Sequence, residues 1–180
     1  MKPRVLIVGG GVIGSATAWF LARDGGHDVT VLERDPAYRQ ASSSLSASSI
    51  RQQFSQPVNI RLSQASLAFL REVGTNLALD AERPDIALVE RGYLYLATAA
   101  GMGTLQVNHA VQCDHQVAVA LLTAAQLRER FPWLAVDDLA GGSLGLGGEG
   151  WFDGPALLRA FRRKAIAAGV RYVAAEAQRL

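Results

Sequence analysis

The sequence predicts an α/β protein that starts with a βαβ unit and is interrupted by an α+β insertion. A short apolar run ends at a glycine-rich turn, and a helix-like segment and a second apolar run follow within the first 33 residues. That is the size of one βαβ unit. A strand-rich and turn-rich stretch then breaks the pattern before one more helix and strand. With 180 residues, of which 49% are hydrophobic, the chain has the length and composition of one globular domain rather than a disordered segment.

The first strand and helix are predicted from a change in hydrophobic pattern. Residues 4–8 form an apolar, β-branched run that stops at a glycine, which is typical of a central parallel strand buried on both faces. Residues 12–23 then show helical spacing, with Ile13, Ala16 and Phe20 on one apolar side. We expect two glycines at positions 25 and 26 to end this helix.

A glycine motif joins this strand to this helix. Gly9, Gly11 and Gly14 match the pattern G-x-G-x-x-G. The first glycine permits a tight turn, the second lets a pyrophosphate approach the backbone, and the third allows close packing of helix on strand. The amides of the first helical turn, at Val12 and Ile13, and the positive end of the helix dipole favour a bound anion. The motif predicts a Rossmann-like dinucleotide-binding unit.

An acidic residue supports the same prediction. Glu33 ends the second predicted strand, residues 29–32, about twenty residues after the last motif glycine, where a carboxylate hydrogen-bonds a ribose 2′-hydroxyl. A carboxylate there would repel the 2′-phosphate of NADP. Arg34 is interpreted either as a contact to adenine or phosphate or as a solvated surface residue. The unit alone does not separate FAD from NAD, because both carry the same ADP half.

The rest of the chain lacks the regular βα alternation of a classical NAD domain, which favours FAD. The predicted elements are a serine-rich loop (40–49), a helix (60–73), a strand-like segment (86–98), a capped helix opening at Thr123 and ending at Pro132, a glycine-rich connection (141–150), a helix (155–168) and a buried strand (170–173). The last helix and strand are expected to return to the first sheet.

Several segments resemble the D-amino acid oxidase / glycine and sarcosine oxidase family, in the order found in that family. They are residues 4–34, ASSS at 41–44 leading to SIRQ at 49–52, GYLYL at 92–96, FPWL at 131–134 and DGPAL at 153–157. Residues 49–54 resemble the branch of FAD-dependent proteins similar to the mitochondrial assembly factor for respiratory complex I. The first segment is shared with many nucleotide-binding families, whereas the later ones are more particular to this family.

The resemblance implies a Rossmann-like FAD-binding part, residues 1–84 and 151–180, and an inserted partial substrate domain, residues 85–150. It implies oxidation of the C–N bond of an amine or amino acid by hydride transfer to flavin. Carried over by position, the serine hydroxyls would lie along the pyrophosphate and ribityl chain, at Ser42, Ser43 and Ser44. Arg51 would lie near the flavin ring and bind a substrate carboxylate; a structural or surface ion pair is the alternative. Residues 42–52 include no histidine or cysteine, so non-covalent FAD is expected.

Members of the family are considerably longer than this chain. We therefore expect a truncated N-terminal part that is too short to be active alone and that requires a missing C-terminal half. Three alternatives remain open at this point: a non-catalytic flavin-fold assembly or interaction factor, an NAD-binding domain, and an inactive fragment.

Composition excludes other classes of protein. The net charge is only +2, and the charged residues are scattered along the chain rather than clustered, so no nucleic-acid partner is expected. The single cysteine, Cys113, permits no intrachain disulfide, and three dispersed histidines predict no metal site. Glycines break the apolar stretch 5–22, which does not combine a basic n-region with a small-residue cleavage site, so we expect neither a signal peptide nor an integral membrane segment. A cytoplasmic protein is the prediction.

Overall fold

The computed structural model describes residues 1–179 and divides the chain into two compact units. Unit 1 comprises Met1–Ser48, Arg71–Ala87 and the described residues from Phe152 onward, and unit 2 comprises Ser49–Leu70 and Leu88–Trp151. The predicted boundaries differ from these units because residues 49–70, assigned to the first part, cluster with the insertion. Leu180, at the end of the predicted segment 151–180, lies outside the described residues.

The helices and strands are numbered in chain order. They are β1 (Arg4–Val8), α1 (Val12–Ala22), β2 (Asp28–Glu33), β3 (Ser49–Ile50), α2 (Pro57–Arg71), α3 (Val73–Asn76), β4 (Val89–Glu90), β5 (Leu94–Ala97), α4 (Ala99–Asp114), β6 (Val119–Thr123), α5 (Ala124–Arg130), β7 (Gly141–Gly145), β8 (Gly150–Trp151), α6 (Gly154–Ala167) and β9 (Arg171–Ala174). Within the described residues, no helix combines the length and the apolar character that crossing a bilayer requires.

Unit 1 contains a parallel sheet in the order β1-β2-β9. The predicted βαβ start and the return of the last strand to the same sheet are therefore confirmed. The prediction that β1 is central and buried on both faces is wrong: it lies at the edge of this sheet, and Leu6 and Val8 are 58% and 56% exposed. The central strand is β2, where Val29 and Val31 are almost fully buried. β9 was also predicted to be buried, but most of its residues are exposed.

Helix α1 buries a different side from the one that its apolar residues indicated. Its buried residues are Ser15, Ala18, Trp19 and Ala22, which follow helical spacing. Ile13, by contrast, is 80% exposed, and Phe20 is 45% exposed. Small residues on the buried side permit close approach, and the ring of Trp19 packs on α6 with its centroid 5.8 Å from that of Phe161.

Unit 2 contains two antiparallel sheets, ordered β3-β8-β4 and β5-β7-β6. The glycine-rich segment 141–150 was predicted to be a connection, and this is wrong, because it supplies the whole of β7 and the first residue of β8, the central strands of the two sheets. A Cβ atom on Gly142 would lie 2.7 Å from the carbonyl oxygen of Tyr95 in the neighbouring strand, so the glycines permit tight pairing. The capping box at Thr123 and Gln126 is confirmed. Helix α4 was not predicted, because its pattern is weakly amphipathic.

Candidate nucleotide-binding site

The turn between β1 and α1 requires glycine at two positions. Gly9 has a φ of +97°, in the left-handed region, and its N–H donates to the carbonyl oxygen of Leu32 in β2 over 2.8 Å. A Cβ atom on Gly14 would lie 1.9 Å from the carbonyl oxygen of Gly9. The helix can therefore start directly behind the strand only because Gly14 lacks a side chain.

The N-terminus of α1 is open to an anionic ligand. Its N-cap is Gly11, which makes no side-chain cap, and its first turn contains no acidic residue. A Cβ atom on Gly11 would approach nothing closer than Ser43 Oγ, at 4.0 Å. The first amides of the helix, including those of Val12 and Ile13, thus have no side-chain carboxylate above them, and the helix dipole favours negative charge here.

These features open into a cleft of about 490 Å³ within unit 1. The cleft brings together most of the residues that the sequence analysis assigned to a cofactor: Gly9, Gly11, Val12, Ile13, Gly14, Glu33, Arg34, Ser42 and Ser43. Ser44 is not among the residues that line it; its amide donates to the carbonyl oxygen of Ala41 within the loop. The volume lies in the range of small-molecule and cofactor sites.

Glu33 is held at the edge of this cleft by two backbone amides. Its Oε2 accepts a hydrogen bond from the N–H of Gly10 over 2.8 Å, and its Oε1 accepts one from the N–H of Asp35 over 2.8 Å. A carboxylate has about four lone-pair sites, so the two remaining sites can still accept from a ligand hydroxyl. The acid is therefore oriented by the protein before a ligand arrives.

Ser43 carries a buried hydroxyl without a protein partner. Ser43 lines the cleft, and its Oγ is buried and makes no hydrogen bond with the described residues. Buried hydroxyls are normally hydrogen-bonded, and leaving one unpaired has a free-energy cost. A phosphate oxygen in the cleft would satisfy this hydroxyl, so the donor set of open amides and hydroxyls fits the diphosphate of a dinucleotide.

Arg34 lies on the exposed side of the cleft. Its Nη1 is 3.7 Å from Oε1 of Glu176, and both side chains are more than 60% exposed. An exposed ion pair of this kind contributes little to stability. Arg34 is thus available to a nucleotide, and both earlier interpretations of it remain compatible with its position.

The cleft includes residues that sequence reasoning missed: Thr17, Asp35, Tyr38, Gln40 and Ala41. The most notable is Tyr38, which adopts a φ of +56° although it is not glycine. Burial raises the pKa of the Tyr38 hydroxyl above its usual value, and the nearby Arg162 guanidinium opposes part of that rise. For Asp35, Tyr38, Gln40 and Ala41, position in the loop directly after the acid at the end of β2 was the signal that could have identified them; Thr17 lies in α1, one turn after Ile13.

Arg51 belongs to unit 2, where it borders a shallow depression of about 400 Å³. Its guanidinium carbon lies 5.9 Å from the centroid of the Tyr93 ring, and its carbonyl oxygen accepts a hydrogen bond from Ser63 Oγ. The depression combines hydroxyl, amide and apolar side chains, and its other lining residues are Ser49, Ile50, Phe54, Asn59, Leu62, Ser63 and Ser66. An exposed guanidinium in such surroundings can bind a small carboxylate.

The sequence of the chain is similar to those of known proteins. The family described as DAO, FAD dependent oxidoreductase, matches residues 4–180. FAD-dependent oxidoreductase domain-containing protein 1 of Xenopus laevis is 45% identical to this chain over 171 residues, which are 92% of this chain and 34% of that protein. The chain thus spans about a third of the length of this curated relative.

Solved structures with the same fold are also larger than this chain. Glycine oxidase from Geobacillus kaustophilus is 29% identical with a TM-score of 0.77, over 96% of this chain and 47% of that protein. L-proline dehydrogenase from P. horikoshii has the same TM-score at 24% identity, over 96% of this chain and 44% of that protein, which shows the common fold. The fold, the glycine turn and the match over almost the whole sequence agree: the chain belongs to the DAO family of FAD dependent oxidoreductases.

Proposed function

We propose that this chain is the FAD-binding front part of an oxidoreductase that oxidises the C–N bond of an amine or amino acid. The observation that carries the proposal is the convergence of the glycine turn, Glu33 and the unpaired Ser43 hydroxyl on one cleft, in a chain of an FAD dependent family. The similarity to glycine oxidase supports an amino compound as the substrate class. A cytoplasmic location stays a prediction from the sequence.

In this proposal each group in the cleft has a defined part in holding the cofactor. The open amides at the start of α1 bind the diphosphate, and the Ser42 and Ser43 hydroxyls donate to its oxygens or to the adjoining chain. Glu33 accepts a hydrogen bond from a ribose hydroxyl through a lone pair that Gly10 and Asp35 leave free. Non-covalent binding stays a prediction from the sequence of residues 42–52.

The chemistry of the proposed reaction comes from the cofactor, and the protein aligns the substrate. FAD, when bound, would supply a ring that takes up a hydride, which carries the electron pair with it, from the substrate carbon next to nitrogen. The substrate nitrogen and carbon are left joined as an imine, which water then hydrolyses. In this proposal Arg51 binds a substrate carboxylate through charge-assisted hydrogen bonds, so that an amino acid is held by its acid group.

An absorption spectrum tests the first step of the proposal. The purified 180-residue chain is mixed with FAD, separated from free cofactor, and examined for oxidised flavin. Co-elution of flavin with the protein supports the proposal, whereas tight binding of NADH without flavin would favour an NAD-binding domain.

A second measurement tests the reaction itself. The flavin-loaded chain is mixed anaerobically with D- and L-amino acids and N-methyl amines, and loss of flavin colour is followed. Bleaching by one of these compounds supports C–N oxidation. Because we expect the chain to be too short to be active alone, retention of FAD without reduction by any compound contradicts the catalytic proposal only if it persists when a C-terminal half is co-expressed with the chain. That result would favour a non-catalytic flavin-fold protein.

A further inference from the structure

Glu149 in unit 2 is a fully buried acid that the proposed reaction does not yet use. It directly precedes β8, the central strand of the sheet β3-β8-β4. Both neighbouring strands run antiparallel to β8, so both end where β8 begins. The backbone of Glu149 therefore lies between the segment that leaves β3 and the segment that leaves β4.

Its carboxylate is hydrogen-bonded to both of these segments. Oε1 accepts from the backbone N–H groups of Gln52 and Gln53, over 2.7 Å and 3.1 Å. Oε2 accepts from the Gln53 side-chain amide over 2.8 Å and from the N–H of Tyr93 over 3.2 Å. Four N–H donors thus converge on one carboxylate, the arrangement that stabilises a buried negative charge.

The same two segments carry the surroundings of Arg51. Arg51 directly precedes Gln52, and its guanidinium lies over the ring of Tyr93. Glu149 holds the backbone on both sides of that contact, since it accepts from the residue after Arg51 and from the N–H of Tyr93 itself. Hydrogen bonds from an outer layer commonly orient the group that contacts a ligand.

The surrounding sequence makes room for this acid. A Cβ atom on Gly145 would lie 1.8 Å from Glu149 Oε2, so a side chain at that position would displace the carboxylate. The Gln53 amide is itself fixed, because its Oε1 accepts from Ser143 Oγ over 2.7 Å and its Nε2 donates to the carbonyl oxygen of Tyr93. These contacts give the carboxylate one defined position.

We propose that Glu149 is a positioning residue for Arg51: by tying residues 52–53 to Tyr93, it fixes the guanidinium of this depression-lining residue over the Tyr93 ring, ready for a substrate carboxylate. This inference rests on the carboxylate-binding role of Arg51 in the proposed function. A residue that only stabilises the fold would affect binding of a carboxylate whether or not Arg51 is present. A positioning residue acts only through Arg51.

The test compares propionate binding by the full chain and by a Glu149→Gln variant. Glutamine keeps the shape but offers one acceptor oxygen and turns an NH₂ group toward N–H donors. We expect about tenfold weaker propionate binding, the order of effect expected for one lost hydrogen bond. Amide hydrogen exchange at Gln52, Gln53 and Tyr93 should become faster. In an Arg51→Met background the Glu149→Gln change should have no further effect on binding, because the two residues act as one unit.

A matched control comes from the same sheet. Glu90 accepts a hydrogen bond from the N–H of Gly148 over 3.0 Å, so Glu90→Gln should leave propionate binding and exchange at residues 52, 53 and 93 unchanged.

If Glu149→Gln fails to fold, Gln53→Met removes one donor to the carboxylate with a smaller disturbance, and a weaker effect in the same direction is expected. Unchanged propionate binding in Glu149→Gln and Gln53→Met, or equal weakening by Glu149→Gln in the Arg51→Met background, would overturn the inference.

The inference and the proposed function can fail separately. If the wild-type chain and Arg51→Met bind propionate equally, the carboxylate role of Arg51 fails. The position of the guanidinium is then read from the NMR signal of Arg51 Nε–H, which the ring of Tyr93 shifts. Movement of this signal in Glu149→Gln but not in Glu90→Gln still supports positioning, and no movement overturns it.

Discussion

The backbone N–H of Gly10 donates a hydrogen bond to Oε2 of Glu33 over 2.8 Å. This bond joins the glycine turn after β1 to the acid at the end of β2. On the other side, the carbonyl oxygen of Gly10 accepts from the Ser15 hydroxyl over 2.7 Å. The peptide groups in the middle of the turn are thus fixed from both directions, and the acid that we expect at the ribose also fixes the turn that we expect at the diphosphate.

Replacing Glu33 by glutamine should both destabilise the glycine turn and weaken FAD binding. A glutamine oxygen can accept from Gly10 or from Asp35, but its NH₂ group then faces the other N–H donor. A lost partner for a fully buried donor costs about 1–3 kcal/mol, and both donors here are part-buried, so we expect Glu33→Gln to lower the free energy of unfolding by about 1 kcal/mol and to weaken FAD binding. Chemical denaturation and flavin titration measure the two effects.

The control for this change is Glu176→Gln, which alters an exposed acid paired with Arg34. We expect less than about 0.5 kcal/mol from it, as is usual for an exposed ion pair. Equal losses of stability and of FAD affinity in the two variants would contradict the role assigned to Glu33.

The first βαβ unit could be predicted from the sequence because its physical requirements are local. A strand, a turn that needs glycine at fixed positions, and a helix leave a pattern within a few residues, and Gly9 and Gly14 lie where that pattern requires them. The edge position of β1 could not be predicted this way, since an apolar run shows that a strand can be buried but not which strands pair with it. The roles of β7 and β8 were hidden because glycine is typical of turns, whereas here it permits close strand pairing.

The sequence predicted those residues of the site whose type is required by their charge or by the absence of a side chain. Glu33 and the motif glycines meet that condition. Tyr38 does not, because its place in the cleft depends on a left-handed backbone conformation that the sequence does not indicate for tyrosine. Glu149 was missed for a similar reason: its four donors come from segments distant in sequence, which only the folded chain brings together.

Gly14→Ala should prevent the normal approach of α1 to β1. The new Cβ would lie 1.9 Å from a backbone carbonyl oxygen, which cannot rotate away as a flexible side chain can. Overpacking of this kind typically costs about 1–3 kcal/mol, and here it also displaces the amides that we expect to bind the diphosphate. We expect a lower melting temperature and loss of measurable FAD binding.

Gly26→Ala is the matched control, because a Cβ atom there meets no heavy atom within 4 Å. It should leave FAD affinity unchanged. If Gly14→Ala binds FAD as tightly as Gly26→Ala does, the close packing of helix and strand is not required for the site.

Ser43→Ala should separate ligand binding from stability. Because the Ser43 hydroxyl has no partner among the described residues, its removal should leave the stability of the FAD-free chain unchanged or slightly higher. FAD affinity should fall by about fivefold, which corresponds to ~1 kcal/mol for one hydrogen bond. The neighbouring Ser44→Ala, whose residue does not line the cleft, should change neither quantity. Equal FAD affinities in the two variants would remove Ser43 from the binding site.

At alkaline pH the stability of the chain should depend on the ionisation of the Tyr172 hydroxyl. Burial raises the pKa of the Tyr172 hydroxyl, although its hydrogen bond to Ser15 and the Arg162 charge oppose part of the rise. The folded chain therefore holds this proton more tightly than the unfolded chain does. Below the unfolded pKa of about 10 this contribution to stability is fully present, and it is lost as the pH rises toward the folded pKa.

Tyr172→Phe removes this titration, so its free energy of unfolding should fall less steeply than that of the wild-type chain between pH 9 and pH 11. At pH 7 the variant should be less stable by about 1 kcal/mol, since the hydrogen bond to Ser15 is lost. Urea denaturation at a series of pH values measures both effects. Burial raises the pKa of Tyr38 as well. The free energy of unfolding of Tyr38→Phe should therefore also fall less steeply with rising alkaline pH than that of the wild-type chain. Parallel curves for the wild-type chain and Tyr172→Phe up to pH 11 would show that the hydroxyl ionises equally easily in the folded and unfolded chains, and that burial around Tyr172 does not protect it.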